Sequence, residues 1–377
     1  LDVVQAFIAE ELFDGEQLRK DVALTVDGGK VVSLGGTPAA DAVRLQGLLA
    51  PGLIDVQVNG GGGALFNNDT SVNALGKMSA AHAQFGTTGF MPTLITDQVD
   101  VMQKAADAVS AAIKEGVPGV LGVHFEGPHL SAPKKGTHEE CFIRPLSDEE
   151  LAIYARDDLG LKMVTLAPEN VSPEDIAKLV SLGVKVCLGH SNADGKTAAA
   201  AVAAGASGFT HLYNAMSPLH SRDPGMVGTA LISDDCWCGL IADGHHVSAE
   251  AMTLALKAKP RGKIMLVTDA MSLVGSDEQS FPLFNRIVTR DGDKLTSSTG
   301  ELAGSHLDMI GAVRNIRDWC GVELTEALRM AGLYPAEYLG FAGGRIAEGA
   351  AADMILINDD LQVQKTWIGG QEVFSAG

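Results

Sequence analysis

Apolar residues along this chain fall into two patterns. At both ends, apolar and polar positions alternate over short runs. Val22-Ala-Leu-Thr-Val26 and Val31-Val-Ser-Leu34 flank an Asp27-Gly-Gly turn, and Ala352 to Ile357, Val363 to Trp367 and Glu372-Val-Phe374 repeat the pattern at the far end. Period-two alternation with an Asp-Gly turn predicts antiparallel strands. Two β-rich ends around a different middle predict one small β-sandwich domain built from both termini, residues 1–49 and 341–377.

The middle, residues 50–340, alternates short apolar runs with helix-length segments. Eight runs read as strands: Ile54–Asn59, Thr88–Ile95, Val120–Glu126, Lys162–Ala167, Val184–His190, Gly208–Asn214, Cys238–Asp243 and Lys263–Asp269. Ala105–Lys114, Pro173–Leu182, Ala198–Ala204 and Ala249–Ala258 read as helices between them. Strands and helices in succession, without hairpins, predict an α/β chain with a (β/α)8 TIM-like barrel. A doubly wound open sheet is the competing reading, weakened because no G-x-G-x-x-G follows the first strand. Phe281–Thr296 reads as an inserted hairpin, followed by helices at Ile310–Trp319 and Leu324–Ala331.

In such a barrel the carboxyl ends of the strands face the active site. Those ends carry Asp55 to Asn59, His124 and Glu126, His190, His211 with Asn214, Asp243 with His246, and Asp269. Scattered placement would seldom put four of the ten histidines at equivalent positions. Glu126, His190 and His211 suit a divalent metal with an open coordination position. Each alone has a plainer reading as a capping or core polar residue. His124, two residues before Glu126, points the same way but deeper, which predicts a structural role. Asp269, at the last strand end, is the natural general base; an Asp holding a loop is the alternative.

Other polar residues carry weaker signals. Asn59-Gly-Gly-Gly-Gly63 has neither the Lys nor the helix start of a phosphate loop. Arg222, on the long loop after the sixth strand, is either a surface residue or an anion clamp. His82 reads as a solvated helix residue, and His129, His220, His245 and His306 as surface or loop residues.

Composition narrows the partners. Hydrophobic residues make up 46% of the 377, enough for a large core, and Lys+Arg 28 against Asp+Glu 47 leaves a net charge of −19. Such a chain has no general attraction for nucleic acid or anionic lipid, so an anionic small molecule has to be held by local donors. Five scattered cysteines predict reduced thiols rather than a disulfide framework. No apolar run approaches the roughly 20 residues of a membrane span, and the expectation is a soluble cytoplasmic protein.

Those residues, in that order, resemble the amidohydrolase superfamily and, within it, the N-acetylglucosamine-6-phosphate deacetylases. The strings that carry the likeness include Pro51-Gly-Leu-Ile-Asp-Val-Gln-Val-Asn-Gly60, His124-Phe-Glu-Gly-Pro128, Lys134-Lys-Gly-Thr-His138 and Gly189-His-Ser-Asn-Ala193. Thr210-His-Leu-Tyr-Asn-Ala-Met216, Arg222-Asp-Pro-Gly225, Ala242-Asp-Gly-His-His-Val247, Val267-Thr-Asp-Ala270 and Leu302-Ala-Gly-Ser305 complete them. The resemblance implies hydrolysis of the N-acetyl amide of a phosphorylated amino sugar. It implies that Glu126, His190 and His211 hold one divalent ion, zinc or another first-row metal, and that Asp269 shuttles the proton. It further implies that His138 polarises the acetamide carbonyl beside Thr137, that Asn214 and Ala215 meet the phosphate, and that Asp243 and His246 contact sugar hydroxyls or phosphate. Leu302, Ala303 and Gly304 would close over the ligand, and Arg222 would reach a neighbouring subunit's substrate, implying a homodimer.

Many members of the superfamily carry His-x-His on the first strand and bind two metals. Here those positions are Gln57 and Asn59, poor ligands for a zinc-like ion, so a single metal is expected. The galactosamine epimer is the alternative substrate. A cyclic-amide hydrolase with a carboxylated lysine is disfavoured because Lys162 lies at the start of its strand. A metal-free scaffold is disfavoured because the Glu-His-His-Asp set has no gap.

Overall fold

The computed structural model describes residues 4–377. The terminal strands form one seven-stranded sheet in the order Gln371–Ser375, Val363–Ile368, Met354–Ile357, Val43–Pro51, Gln5–Phe13, Leu18–Asp27, Lys30–Leu34. All neighbours pair antiparallel except Gln5–Phe13 with Val43–Pro51. The sheet curls until its far ends meet, where Ala352 donates to Gly29 O and Gly370 to Ala352 O. The alternating apolar positions of both termini thereby close over their own core, which includes Phe7, Leu24, Val31, Leu49, Met354 and Trp367.

Val43–Pro51 leads through Gly52 straight into the barrel. A Cβ at Gly52 would fall 2.0 Å from Thr88 Oγ1, so only glycine fits this joint. Eight parallel strands follow: Leu53–Val58, Thr87–Ile95, Gly122–Glu126, Leu161–Leu166, Val184–Leu188, Gly208–Phe209, Trp237–Ile241 and Ile264–Val267. Every residue of the first two is buried, as expected for parallel strands covered on both faces. The barrel closes beyond the last strand, where Asp269 N donates to Gln57 O (2.9 Å) and Asn59 N to Ala270 O (2.8 Å). Helices such as Val99–Glu115 bury one face (Met102, Ala105, Val109, Ala112) against the strands.

Several strands end earlier than the apolar pattern suggests, three of them just before a left-handed turn. The sixth stops at Phe209, the fifth at Leu188 and the eighth at Val267. The residues just beyond turn left-handed, with φ of 46° at His190, 33° at His211 and 54° at Asp269. The expected hairpin after the eighth strand is a three-stranded sheet, Ser280–Leu283, Arg286–Asp291 and Lys294–Ser297. Its apolar face packs on Leu65, Ile95, Met271, Leu273 and Ala303.

Two histidines correct the sequence reading. His82 is fully buried, its Nε2 2.8 Å from Gly60 O, and burial holds its imidazole below the usual value. His129 is also buried, against Arg144 O (3.0 Å) and the Tyr154 hydroxyl (3.2 Å). In both cases the imidazole body fills core space while a ring nitrogen finds a partner.

Lys162 sits at the amino-terminal end of its strand, and Nζ donates to Tyr154 O (2.8 Å), Arg156 O (2.9 Å) and Leu182 O (2.9 Å). It staples two helix ends at the closed side of the barrel, where a carboxylated lysine could serve no metal. Lys162→Met removes all three bonds and is expected to lower stability by about 1–3 kcal/mol, read as a lower urea midpoint with kcat unchanged.

Candidate active site

At the carboxyl end of the barrel the strands deliver their last residues to one cavity. Its walls include Asn59, Glu126, Gly136, Thr137, His138, His190, His211, Asn214, Ala215, His246, Asp269, Leu302 and Gly304. Glu126 lies at its base, 2% exposed. His190 Nε2 is 3.1 Å and His211 Nε2 3.0 Å from the same oxygen, Glu126 Oε1, and the two ring nitrogens are 3.0 Å apart. Burial pushes the Glu126 carboxyl up, but the hydrogen bonds and positive charge of His190 and His211 outweigh it and hold the group well below the usual range.

That geometry fits a cation. His190 Nδ1 lies 2.8 Å from Lys134 O, an acceptor only, so Nδ1 carries a hydrogen and Nε2 is the nitrogen that would give up its proton to bind an ion. His211 Nδ1 has no partner. Two imidazole nitrogens and a carboxylate oxygen converging within 3.1 Å make a hard-to-satisfy cluster on their own and a ready ligand set for a divalent ion.

His138 belongs to the same cluster: with Glu126 and His190 it offers ligand atoms within 4.8 Å of one another. Its hydrogen bonds suit it to a different task. Thr96 N, which can only donate, lies 3.3 Å from His138 Nδ1, and Thr96 Oγ1 lies 2.8 Å from it. Nδ1 is therefore the acceptor, and the other nitrogen carries an N–H. Burial and the nearby His190 keep the ring neutral, well below the usual imidazole value. His211, 3.0 Å from both other groups, is the better third ligand. Thr96 and Arg286, whose Nη2 donates to Thr137 O (2.5 Å), hold the His138 segment in place. Thr96 lies in a short Thr-rich strand end visible in the sequence; Arg286 comes from the inserted sheet, and nothing local marks it.

The first-strand amides take neither ligand position. Gln57 Nε2 lies 3.2 Å from both Glu126 carboxylate oxygens and 3.2 Å from Asp269 Oδ1, and Asn59 Nδ2 donates to Asp269 Oδ1 at 2.6 Å. They act as donors to the carboxylates. Burial, seconded by the Glu126 charge, pushes Asp269 up to about 6. Deeper in the barrel, His124 bonds Val56 O (3.0 Å) and Thr165 Oγ1 (2.8 Å).

The remaining expected residues divide. Thr137, Asn214, Ala215, His246, Leu302 and Gly304 line the cavity. Asp243 stands behind His246, its Oδ2 2.6 Å from Nδ1, and fixes that ring without reaching the cavity wall. Ala303 is fully buried in the core beneath the inserted sheet. Arg222 is exposed on its loop, away from the cavity. Among the described residues, no Lys or Arg lines it.

The amidohydrolase family model matches residues 48–373. The chain belongs to the amidohydrolase family. This is a metal-dependent family, and the buried Glu-His cluster is where this member could hold an ion. The chain is 47% identical, over 95% of its length and 93% of the relative's, to N-acetylgalactosamine-6-phosphate deacetylase of Shewanella sp. (strain ANA-3). It is 37% identical to N-acetylglucosamine-6-phosphate deacetylase of Vibrio furnissii, covering 98% and 95% of the two chains. The crystal structure of N-acetylglucosamine-6-phosphate deacetylase from Pasteurella multocida superposes with a TM-score of 0.95 at 35% identity, covering 99% of this chain and 100% of that one. No described helix is long and apolar enough to cross a membrane.

Proposed function

We propose that this chain hydrolyses the N-acetyl amide of N-acetyl-D-glucosamine 6-phosphate to D-glucosamine 6-phosphate and acetate. The observation that carries the reading is the convergence of Glu126, His190 and His211 in one cavity with Asp269, the last bridged to Glu126 through the Gln57 amide. A divalent ion, zinc or another first-row metal, held by Glu126, His190 and His211 would acidify water and polarise the amide carbonyl.

Asp269 takes the proton of the attacking water and returns it to the departing amine. His138 donates its N–H to the carbonyl oxygen as negative charge grows there. Asn214 and Ala215 bind the phosphate, His246, steadied by Asp243, meets sugar hydroxyls or phosphate, and Leu302 and Gly304 cover the ligand beside Thr137. A phosphate dianion calls for a cation that this cavity wall lacks. Arg222 of a second copy is the supply that fits, and it makes the working unit a homodimer. Unpaired cysteines accord with a reducing compartment, the cytoplasm.

A second reading, the N-acetylgalactosamine 6-phosphate epimer, is favoured by the 47% identity to the Shewanella enzyme. The test is acetate release from each sugar phosphate. Turnover is expected to fall to background on chelation and to return with zinc or another divalent ion, and the kcat/KM ratio assigns the epimer. Activity that survives thorough metal removal would sink the metal-assisted reading.

A further inference from the structure

We infer that Asn59, seconded by Gln57, is the positioning residue that pins one oxygen of Asp269 and so leaves the other as the atom that carries the proton. The inference rests on the proposed amide hydrolysis, in which Asp269 is the shuttle. Both amides are 1% exposed and sit at the end of the first barrel strand, across the seam where the barrel closes. Asn59 Nδ2 donates to Asp269 Oδ1 at 2.6 Å and Gln57 Nε2 to the same oxygen at 3.2 Å. Among the described residues no donor reaches Oδ2, although Asp269 lines the cavity.

The orientation of Asn59 follows from chemistry. An ionised carboxylate only accepts, so the amide must turn its NH2 toward Asp269. Doing so leaves Asn59 Oδ1 buried with no partner. An amide held in that way at its own expense is organised around its contact with Asp269 rather than around the fold. The backbone adds to the grip: Asp269, at φ 54°, donates from N to Gln57 O and accepts at O from Ser305 N (both 2.9 Å).

Two N–H donors on Oδ1 make that oxygen the poorer site for a proton. Oδ2, the oxygen that neither amide holds, accepts the proton as one O–H bond of the attacking water breaks. The same Oδ2–H bond later breaks as N–H forms on the amine and the C–N bond cleaves. Neutral amides hold the carboxylate in place without adding a charge that would compete with its basicity. That gives a task to two positions that are unsuited to bind metal.

The test compares Asn59→Ala and Asn59→Leu with wild type on both N-acetylhexosamine 6-phosphates, with metal content and melting temperature measured for each. Leu keeps the branched outline of Asn, with bulkier methyl groups, but has no donor. The expected result is a kcat loss of about 10–100-fold in both variants, with KM held within about threefold and metal content and melting unchanged. A residue that only fills space would lose kcat in the Ala variant and keep it in the Leu variant, which overturns the inference. So would a loss confined to KM or to bound metal, or failure of both variants to fold. A wild type inactive on both sugar phosphates sinks the proposed function and this inference with it. An active wild type with unaffected variants sinks the inference alone.

Discussion

Asp269→Asn is expected to lower kcat by about 10²–10⁴-fold, the range a positioned acid–base group supplies, with metal content unchanged. The substitution is nearly isosteric. The new amide can turn its oxygen toward Asn59 Nδ2 and Gln57 Nε2 and keep the side chain where it was. Its NH2 then stands where the proton-accepting oxygen stood. The loss thus falls on proton transfer and leaves ligand binding intact, so KM should move little. The pH profile gives an independent check. Burial first, then the Glu126 charge, push Asp269 up to about 6, against the downward pull of His211, His246 and Asn59. The base works only when ionised, so kcat/KM of the wild type falls as pH drops through about 6. A divalent cation beside the carboxylate favours the charged form and moves that limb lower. The variant should show no such limb, and a profile unchanged by the substitution would refute the shuttle role.

The barrel was legible because parallel strands buried on both faces read as unbroken apolar runs, as in Leu53–Val58 and Thr87–Ile95. Strand ends were less so. The apolar and β-branched residues of Val184–His190 and Gly208–Asn214 predict strands that run to those ends, yet the chain leaves the sheet at Leu188 and Phe209. The left-handed turns at His190 and His211 are imposed by long-range contacts such as Ser191 N to Ala215 O and Leu212 N to Gly239 O, which no local pattern encodes. Short helices were also hard to read. Gly225–Ile232 is buried nearly all round and shows no polar face. Asp148–Tyr154 did have a readable start, the Ser147/Glu150 capping box.

The site divides along the same line. Placing Glu126, His190 and His211 at strand ends follows from periodicity and barrel topology, and the structure brings their polar atoms within 3.1 Å. What surrounds them comes from distant parts of the chain: Thr96 behind His138, Arg286 over Thr137, Lys134 O behind His190. Residue type alone told that Gln57 and Asn59 are poor ligands. Only the fold shows them facing Asp269 across the barrel seam.

Glu126→Gln is the second large effect expected, and it separates binding of the ion from handling of the proton. Glu126 Oε1 is the one atom that both Nε2 atoms of His190 and His211 approach, and it is the only negative charge in the ligand set. An amide of the same shape retains the contacts of the side chain's stem but removes the charge, and amides are poor ligands for zinc-like ions. Bound metal per chain should therefore collapse after dialysis, and turnover should fall with it to background. Excess zinc should restore little. The neighbouring acid group responds in a telling direction: the Glu126 charge helps to hold Asp269 up, so without it the metal-free variant should titrate Asp269 at a lower pH than the metal-free wild type. Loss of metal together with that downward shift ties both groups to one cavity. An enzyme that keeps a full equivalent of metal after this substitution would place the ion elsewhere and remove the basis for assigning Glu126, His190 and His211 to it.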